Sequence, residues 1–255
     1  MAVICGVHTN TAGGIITLFD SVLVTDANWS IYDASAGTNA KVYLCTGAVT
    51  FYLWIGDNQT DYFNVRIWQT WDSGTHTGSG WNTASLQFPK HLTNNHIFLN
   101  GYRFIWVIYN ESYSFVNYCG EIERINTGNT YCVVTGVIAY PTYYSCLHMS
   151  GWWIEWRLGR SDAGTANCAA GCLGGFGPFL YTEDMEGINH TIKTGVFYSE
   201  TNYYFIGYLK GIKLFGGTFM KLVQGEKICI NGSEWIGFMD NSTSPNKRFI
   251  LVEMV

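Results

Sequence analysis

The sequence predicts a mainly-β protein: a β-sandwich or barrel-like domain with one short N-terminal amphipathic helix. Three observations predict it. Short runs rich in β-branched and aromatic residues recur at close spacing, with turn signals between them. A helical stripe appears in one stretch alone. Aromatic residues make up 16% of the chain, and 29 Gly stand against 4 Pro, a composition suited to strands and tight turns.

The elements follow in order. Residues 13–24 place apolar side chains at 15, 16, 18, 19, 22 and 23, one face of a helix. Thr11 stands where a cap is expected, and Val24 falls off the stripe and marks the helix end. Strands are expected at 29–32 and 41–45, separated by a Gly/Ser/Asn turn. Residues 49–55 and 62–68 flank the polar 56–61 and read as a hairpin, with alternation visible in the second run. Residues 69–95 change character. Thr70-Trp-Asp-Ser-Gly-Thr-His-Thr-Gly-Ser-Gly80 is turn chemistry without core periodicity, so a long loop that docks a partner is expected. Strands resume at 97–99 and 102–109 around Asn100-Gly101, a strong hairpin signal. Further strands are expected at 114–120, 130–137 and 152–158, then a second, Gly-rich loop at 159–178. The last third returns to strands at 195–198, 203–208, 227–230, 233–238 and 248–252, the final three forming a closing meander. No repeat and no clean linker is visible. A single domain over 1–255 is expected, with a two-lobe split near 140–160 as the alternative.

Composition excludes several classes. Hydrophobic residues are 47% and charged residues 13%, which rules out disorder. A net charge of −5 with 14 basic residues gives no basic stripe, so no nucleic-acid partner is expected. The longest apolar runs, such as Phe104-Ile-Trp-Val-Ile-Tyr109, have strand length, so no membrane insertion is expected. Met1-Ala-Val-Ile-Cys-Gly-Val lacks a basic leader and does not read as a signal peptide. Six Asn-x-Ser/Thr sequons then read as composition rather than glycosylation sites.

The chemistry-bearing residues have bland readings beside sharp ones. The 8 cysteines read as buried thiols acting as small hydrophobes, or as one or two disulfides formed outside a reducing cytoplasm. Cys168-Ala-Ala-Gly-Cys172 is the closest pair, either a disulfide or buried thiols, and it lacks the spacing and partners of a zinc set. Trp152-Trp-Ile-Glu-Trp156 is the densest aromatic stretch. As a strand it sets Trp152 and Trp156 on one face and Trp153 with Glu155 on the other. It reads as core and subunit-interface packing, or as a platform for a host surface glycan. Glycan hydrolysis needs two carboxylates about 5 to 10 Å apart. Glu155, Asp162, Glu183, Asp184 and Glu186 are candidates, but nothing in the chain pairs them, and no enzymatic activity is expected. Cys146-Leu-His148 lacks an orienting third group. His76, His91 and His96 match no metal spacing, and Leu173-Gly-Gly-Phe-Gly177 lacks the Lys-Ser/Thr of a phosphate cradle. No cofactor and no metal is expected.

Four stretches, in order, carry a family resemblance. The first is the helix at 13–24 with the strands from Trp29 to Gly47. The second is Thr60-Asp-Tyr-Phe-Asn-Val-Arg-Ile, and the third is Asn100-Gly-Tyr-Arg-Phe-Ile-Trp-Val-Ile with Tyr118-Cys-Gly-Glu-Ile and Pro141 after it. The fourth is Leu209-Lys-Gly-Ile-Lys-Leu-Phe-Gly-Gly, followed by Ile228 to Phe238 and Phe249-Ile-Leu-Val-Glu. Together they resemble structural proteins of tailed-bacteriophage virions. The cysteines and the 69–95 and 159–178 segments depart from that pattern. The resemblance implies a virion component of the tail, baseplate or fibre attachment. Such a chain is assembled in the host cytoplasm and contacts copies of itself and other virion structural proteins. It implies no catalytic residues. Head decoration or a neck-collar role, and a lectin-like receptor-binding module, are the alternatives.

Overall fold

The structure is a computed structural model. It describes residues 2–8, 11–47, 50–57, 61–79, 86–110, 114–124, 133–137, 148–149, 168–169, 182–184, 189–199, 203–217, 223–239 and 248–254. The protein is mainly β with one short α-helix near its N-terminus. The first half holds β1 (Ala2–Val7), α1 (Gly14–Val22) with a 3-10 turn (Leu23–Thr25), β2 (Trp29–Gly37), β3 (Ala40–Cys45), β4 (Phe51–Gly56) and β5 (Tyr62–Trp68). Then come β6 (Thr70–Asp72), β7 (Thr77–Ser79), β8 (Leu86–Pro89), β9 (Asn94–Asn100), β10 (Arg103–Tyr109) and β11 (Ser114–Arg124). The second half adds β12 (Val133–Val137), β13 (His148–Met149), β14 (Cys168–Ala169), β15 (Thr182–Asp184) and β16 (Asn189–Ser199). It closes with β17 (Tyr203–Gly217), β18 (Lys227–Ile230), β19 (Ser233–Met239) and β20 (Arg248–Glu253).

Two sheets enclose the main core. A 5-stranded antiparallel sheet has the order β2-β3-β4-β5-β8. A 13-stranded sheet has the main path β1-β9-β10-β11-β17-β20-β19-β18, its two halves joined through the β11–β17 pair at Ile122–Arg124. Among the described residues neither sheet closes into a barrel. Strict alternation decides which side chains face inward: β5 buries Phe63, Val65 and Ile67 and leaves the residues between them half-exposed. These three pack in one cluster with Tyr43, Phe51 and Leu53 of the small sheet and Leu99, Phe104, Trp106 and Ile108 of the large one. Helix α1 completes this core. Ile15, Ile16, Phe19, Val22 and Leu23 are buried along its stripe, while Val24 is exposed, as its place off the stripe requires. The Phe19 ring meets Phe104 and Trp106 edge-on, at centroid distances of 5.7 and 4.7 Å.

The N-cap position of the helix is Gly13 rather than Thr11, and Asp57 supplies a side-chain acceptor from far along the chain. Asp57 Oδ2 accepts the Ile15 N–H at 3.0 Å, and the Asp57 carbonyl accepts the Gly13 N–H at 3.3 Å. Asp57 Oδ1 lies 2.7 Å from Lys90 Nζ, and both side chains are at most 1% exposed. Lys90 Nζ in turn donates to the Thr11 carbonyl at 3.2 Å. A carboxylate at a helix N-terminus satisfies open N–H donors and complements the dipole. Here it comes from just after β4, 42 residues away from the Ile15 N–H that donates to it.

Other expectations need revision. Residues 69–95 are not one loop: β6 and β7 pair as a small hairpin, and β8 and the start of β9 lie in the same span. Strands of 3 residues are too short to show a period. Strands β2, β16 and β17 run longer than expected, to 9, 11 and 15 residues, because cross-strand pairing carries them through Gly and Ser. The Asn100-Gly101 signal centres one residue later, since Asn100 pairs with Arg103 and Gly101 takes φ 56°. The final meander is present, with Asn231 and Gly232 both at positive φ (51° and 80°) between β18 and β19. The expected strand 152–158 and nearly all of 159–178 lie outside the described residues; β14 falls within the latter.

The outer face of β9 and β10 carries a second packed layer. Phe238 of β19 meets Phe98, His96 and Tyr109 at 6.1, 5.3 and 5.6 Å, so the large sheet curves until a ring of β19 packs on β9 and β10. Gly211 in β17 has φ 74°, and a Cβ there would lie 3.2 Å from the buried Arg103 guanidinium. Burial lowers the pKa of both His96 and His8, outweighing for His8 its hydrogen bonds to Asn95 and Lys90. A histidine lowered in the folded state contributes stability above its unfolded value, about 6.5, that is lost as pH falls through the lowered value. The urea midpoint is therefore expected to drop on acidification below about pH 6.5, and His96→Phe should flatten that drop.

Candidate functional site

The outward face of the 5-stranded sheet gathers aromatic side chains. Alternation sets Tyr52 and Trp54 of β4 and Arg66 and Trp68 of β5 opposite the core, all half-exposed. Register makes Tyr52 face Trp68 and Trp54 face Arg66 across the two strands. The Arg66 guanidinium carbon sits 5.7 Å from the Trp54 ring centroid, within cation–π range. The distal edge of the Trp54 indole lies over Gly56, where any Cβ would come within 2.2 Å of it. Tyr32 of β2 meets Tyr52 edge-to-face at 4.9 Å, and hydrogen bonding to Tyr32 joins burial in raising the Tyr52 pKa, burial being the larger cause.

One end of this face is strapped by the β6–β7 hairpin. Trp71 packs on Trp68 with centroids 6.4 Å apart, and a Cβ on Gly78 would lie 2.2 Å from the Trp68 ring, so glycine lets β7 rest on that indole. Asp33 of β2 is the anchor. Its Oδ2 accepts Trp71 Nε1–H and His76 Nδ1–H, each at 2.8 Å, and its Oδ1 accepts the Ser35 N–H at 2.9 Å. Burial alone would raise the Asp33 pKa, but these donors outweigh it and hold the carboxyl at about 2. His76 sits at φ 54°, a left-handed conformation that its bond to Asp33 sustains. Asp33→Ala leaves two donors without their acceptor, so amide hydrogen exchange at 70–79 should accelerate while the β4 and β10 amides keep their protection.

The residues singled out in the sequence fare differently. Trp152, Trp153, Glu155, Trp156 and Cys172 lie outside the described residues. Cys168 lies in β14, where it is the register partner of Tyr198. Cys45 and Cys119 are buried thiols in the main core and Cys229 is an exposed thiol. The three histidines are not brought together: His76 is on the strap, His91 is exposed, and His96 is in the second packed layer. Among the described residues no group of three His, Cys, Asp or Glu side chains could hold a metal. Asp33 and Asp57 escaped sequence reasoning. Apart from Ser35 beside Asp33, their side-chain-bonded partners lie 33 to 43 residues away, and no motif spacing encodes such pairs.

No family model and no curated protein matches the chain.

Proposed function

We propose that this protein is a structural component of a tailed-phage virion, part of the tail, baseplate or fibre attachment, acting through contacts between subunits. One observation supports this most directly: the buried polar groups serve as ties between distant parts of the scaffold. Asp57 and Lys90 fasten the start of α1 to the ends of β4 and β8. Asn95 joins β9 to β10 by accepting Trp106 Nε1–H at 2.9 Å, and its Nδ2–H donates to His8 Nδ1 at 2.9 Å. Asp33 fastens the 70–79 hairpin to the small sheet. Satisfied buried networks rigidify a scaffold, as a subunit that works through fixed contacts requires. The family resemblance of the four sequence stretches points the same way. Mass spectrometry of density-purified particles tests the proposal. The chain should occur at a fixed ratio to the major structural proteins; its absence from the particle band would overturn the reading.

A further inference from the structure

We infer that His96 is an acid-sensitive latch between the two halves of the large sheet: protonating its imidazole loosens the β18–β20 meander from β9 and β10. The latch is a cluster of four rings. Phe238 is 0% exposed and is the ring that β19 contributes. His96 and Phe98 of β9 and Tyr109 of β10 surround it. His96 also lies against the other two, with centroids 6.1 Å from Phe98 and 5.2 Å from Tyr109. The imidazole therefore touches both halves of the sheet. Its Nδ1 is buried without a hydrogen-bond partner.

A neutral imidazole suits this place and an imidazolium does not. Protonation makes both ring nitrogens donors. The N–H on Nδ1 would have no acceptor, and the charge would sit among hydrocarbon rings. Attraction to the ring faces recovers part of that cost, and the donor without an acceptor retains the rest. No counter-charge stands beside it among the described residues. On β9 its neighbours on the same face are Asn94 and Phe98. On β10 its register partner is Val107; Tyr109 is the titratable group next to it, and the cationic Arg103 stands four positions from Val107. On β1 the register position is held by Cys5. On β19 the one charged residue, Glu234, is exposed and four positions from Phe238, roughly 13 Å along the strand. On β20, Arg248 stands two positions from Ile250, the register partner of Phe238. None of the ion pairs among the described residues involves His96. Burial is accordingly the cause that lowers its pKa. A lowered histidine stabilises the closed form above about pH 6.5, and that stability is lost as pH falls through the lowered value. A form with the ring in water binds the proton more tightly, so acid raises the population of the open form.

Native-state amide exchange of the full chain tests this, corrected for the intrinsic effect of pH and read on peptides covering 233–239 and 249–252. Their protection should fall about tenfold between pH 7 and pH 5. The fall should vanish in His96→Phe and in His96→Leu, two variants of different size, so that one that fails to fold leaves the other. His8 lies against Phe63 of the main core at 6.4 Å and is unchanged in both. In low urea the same amides should exchange with a weaker urea dependence than global unfolding shows, because opening the meander exposes less surface. Protection that holds down to pH 5 would overturn the inference. So would a fall that survives loss of the imidazole, or a urea dependence equal to that of global unfolding. Particle incorporation is measured separately, so this inference and the proposed function can fail independently.

Discussion

Asp57→Ala is expected to destabilise the protein by about 3–5 kcal/mol, because it leaves the Lys90 ammonium buried without its counter-charge. The same change removes the acceptor of the Ile15 N–H at the start of α1, a loss of about 0.5–2 kcal/mol in its own right. Small domains hold only about 5–15 kcal/mol in total, so this single carboxylate decides whether the fold persists at physiological temperature. Lys90→Met should be costly for the mirror-image reason, since it strands Asp57 without a cation at a site that is 0% exposed. The double variant Asp57→Asn with Lys90→Met removes both charges and keeps an acceptor for the helix. It should be more stable than either Asp57→Ala or Lys90→Met alone, as read from urea midpoints at constant m. Additive losses would show that the pair is not coupled.

Trp106→Ala is the second large effect expected. Trp106 is 0% exposed and joins three layers: it meets Phe19 of α1 at 4.7 Å, Phe63 of β5 at 4.9 Å and Phe88 of β8 at 5.6 Å. Truncation should cost about 3–5 kcal/mol through lost transfer energy and the cavity left behind. It also removes the indole N–H that donates to buried Asn95 Oδ1. Trp106→Phe keeps most of the ring volume and loses that hydrogen bond, so a smaller loss of about 1–3 kcal/mol is expected. Thermal or urea unfolding of the three proteins measures the order: parent, then Phe, then Ala.

Local signals in the sequence were good guides where one residue's neighbours decide its state. The alternation of 62–68 became β5 at those bounds because one face of that strand is wholly buried. The stripe at 13–24 became α1 and its 3-10 turn because both sheets supply an apolar floor for it. Asn231-Gly232 formed a two-residue turn because both positions accept positive φ. What escaped was set by partners far along the chain. The start of α1 is at Gly13 rather than Thr11, and its side-chain acceptor is the distant Asp57. The small hairpin at 70–79 has little periodicity of its own and is held by Asp33, whose partners Trp71 and His76 lie 38 and 43 residues away. The aromatic face was hidden for a related reason. Tyr52, Trp54 and Trp68 were legible as strand residues, but only the register of β4 against β5 makes them neighbours.

A particle subunit needs rigidity, which the buried ties supply. Immunogold labelling of purified particles with an antibody to this chain tests the central claim most directly. Label at the distal tail is the predicted result, and particles without label would contradict the account.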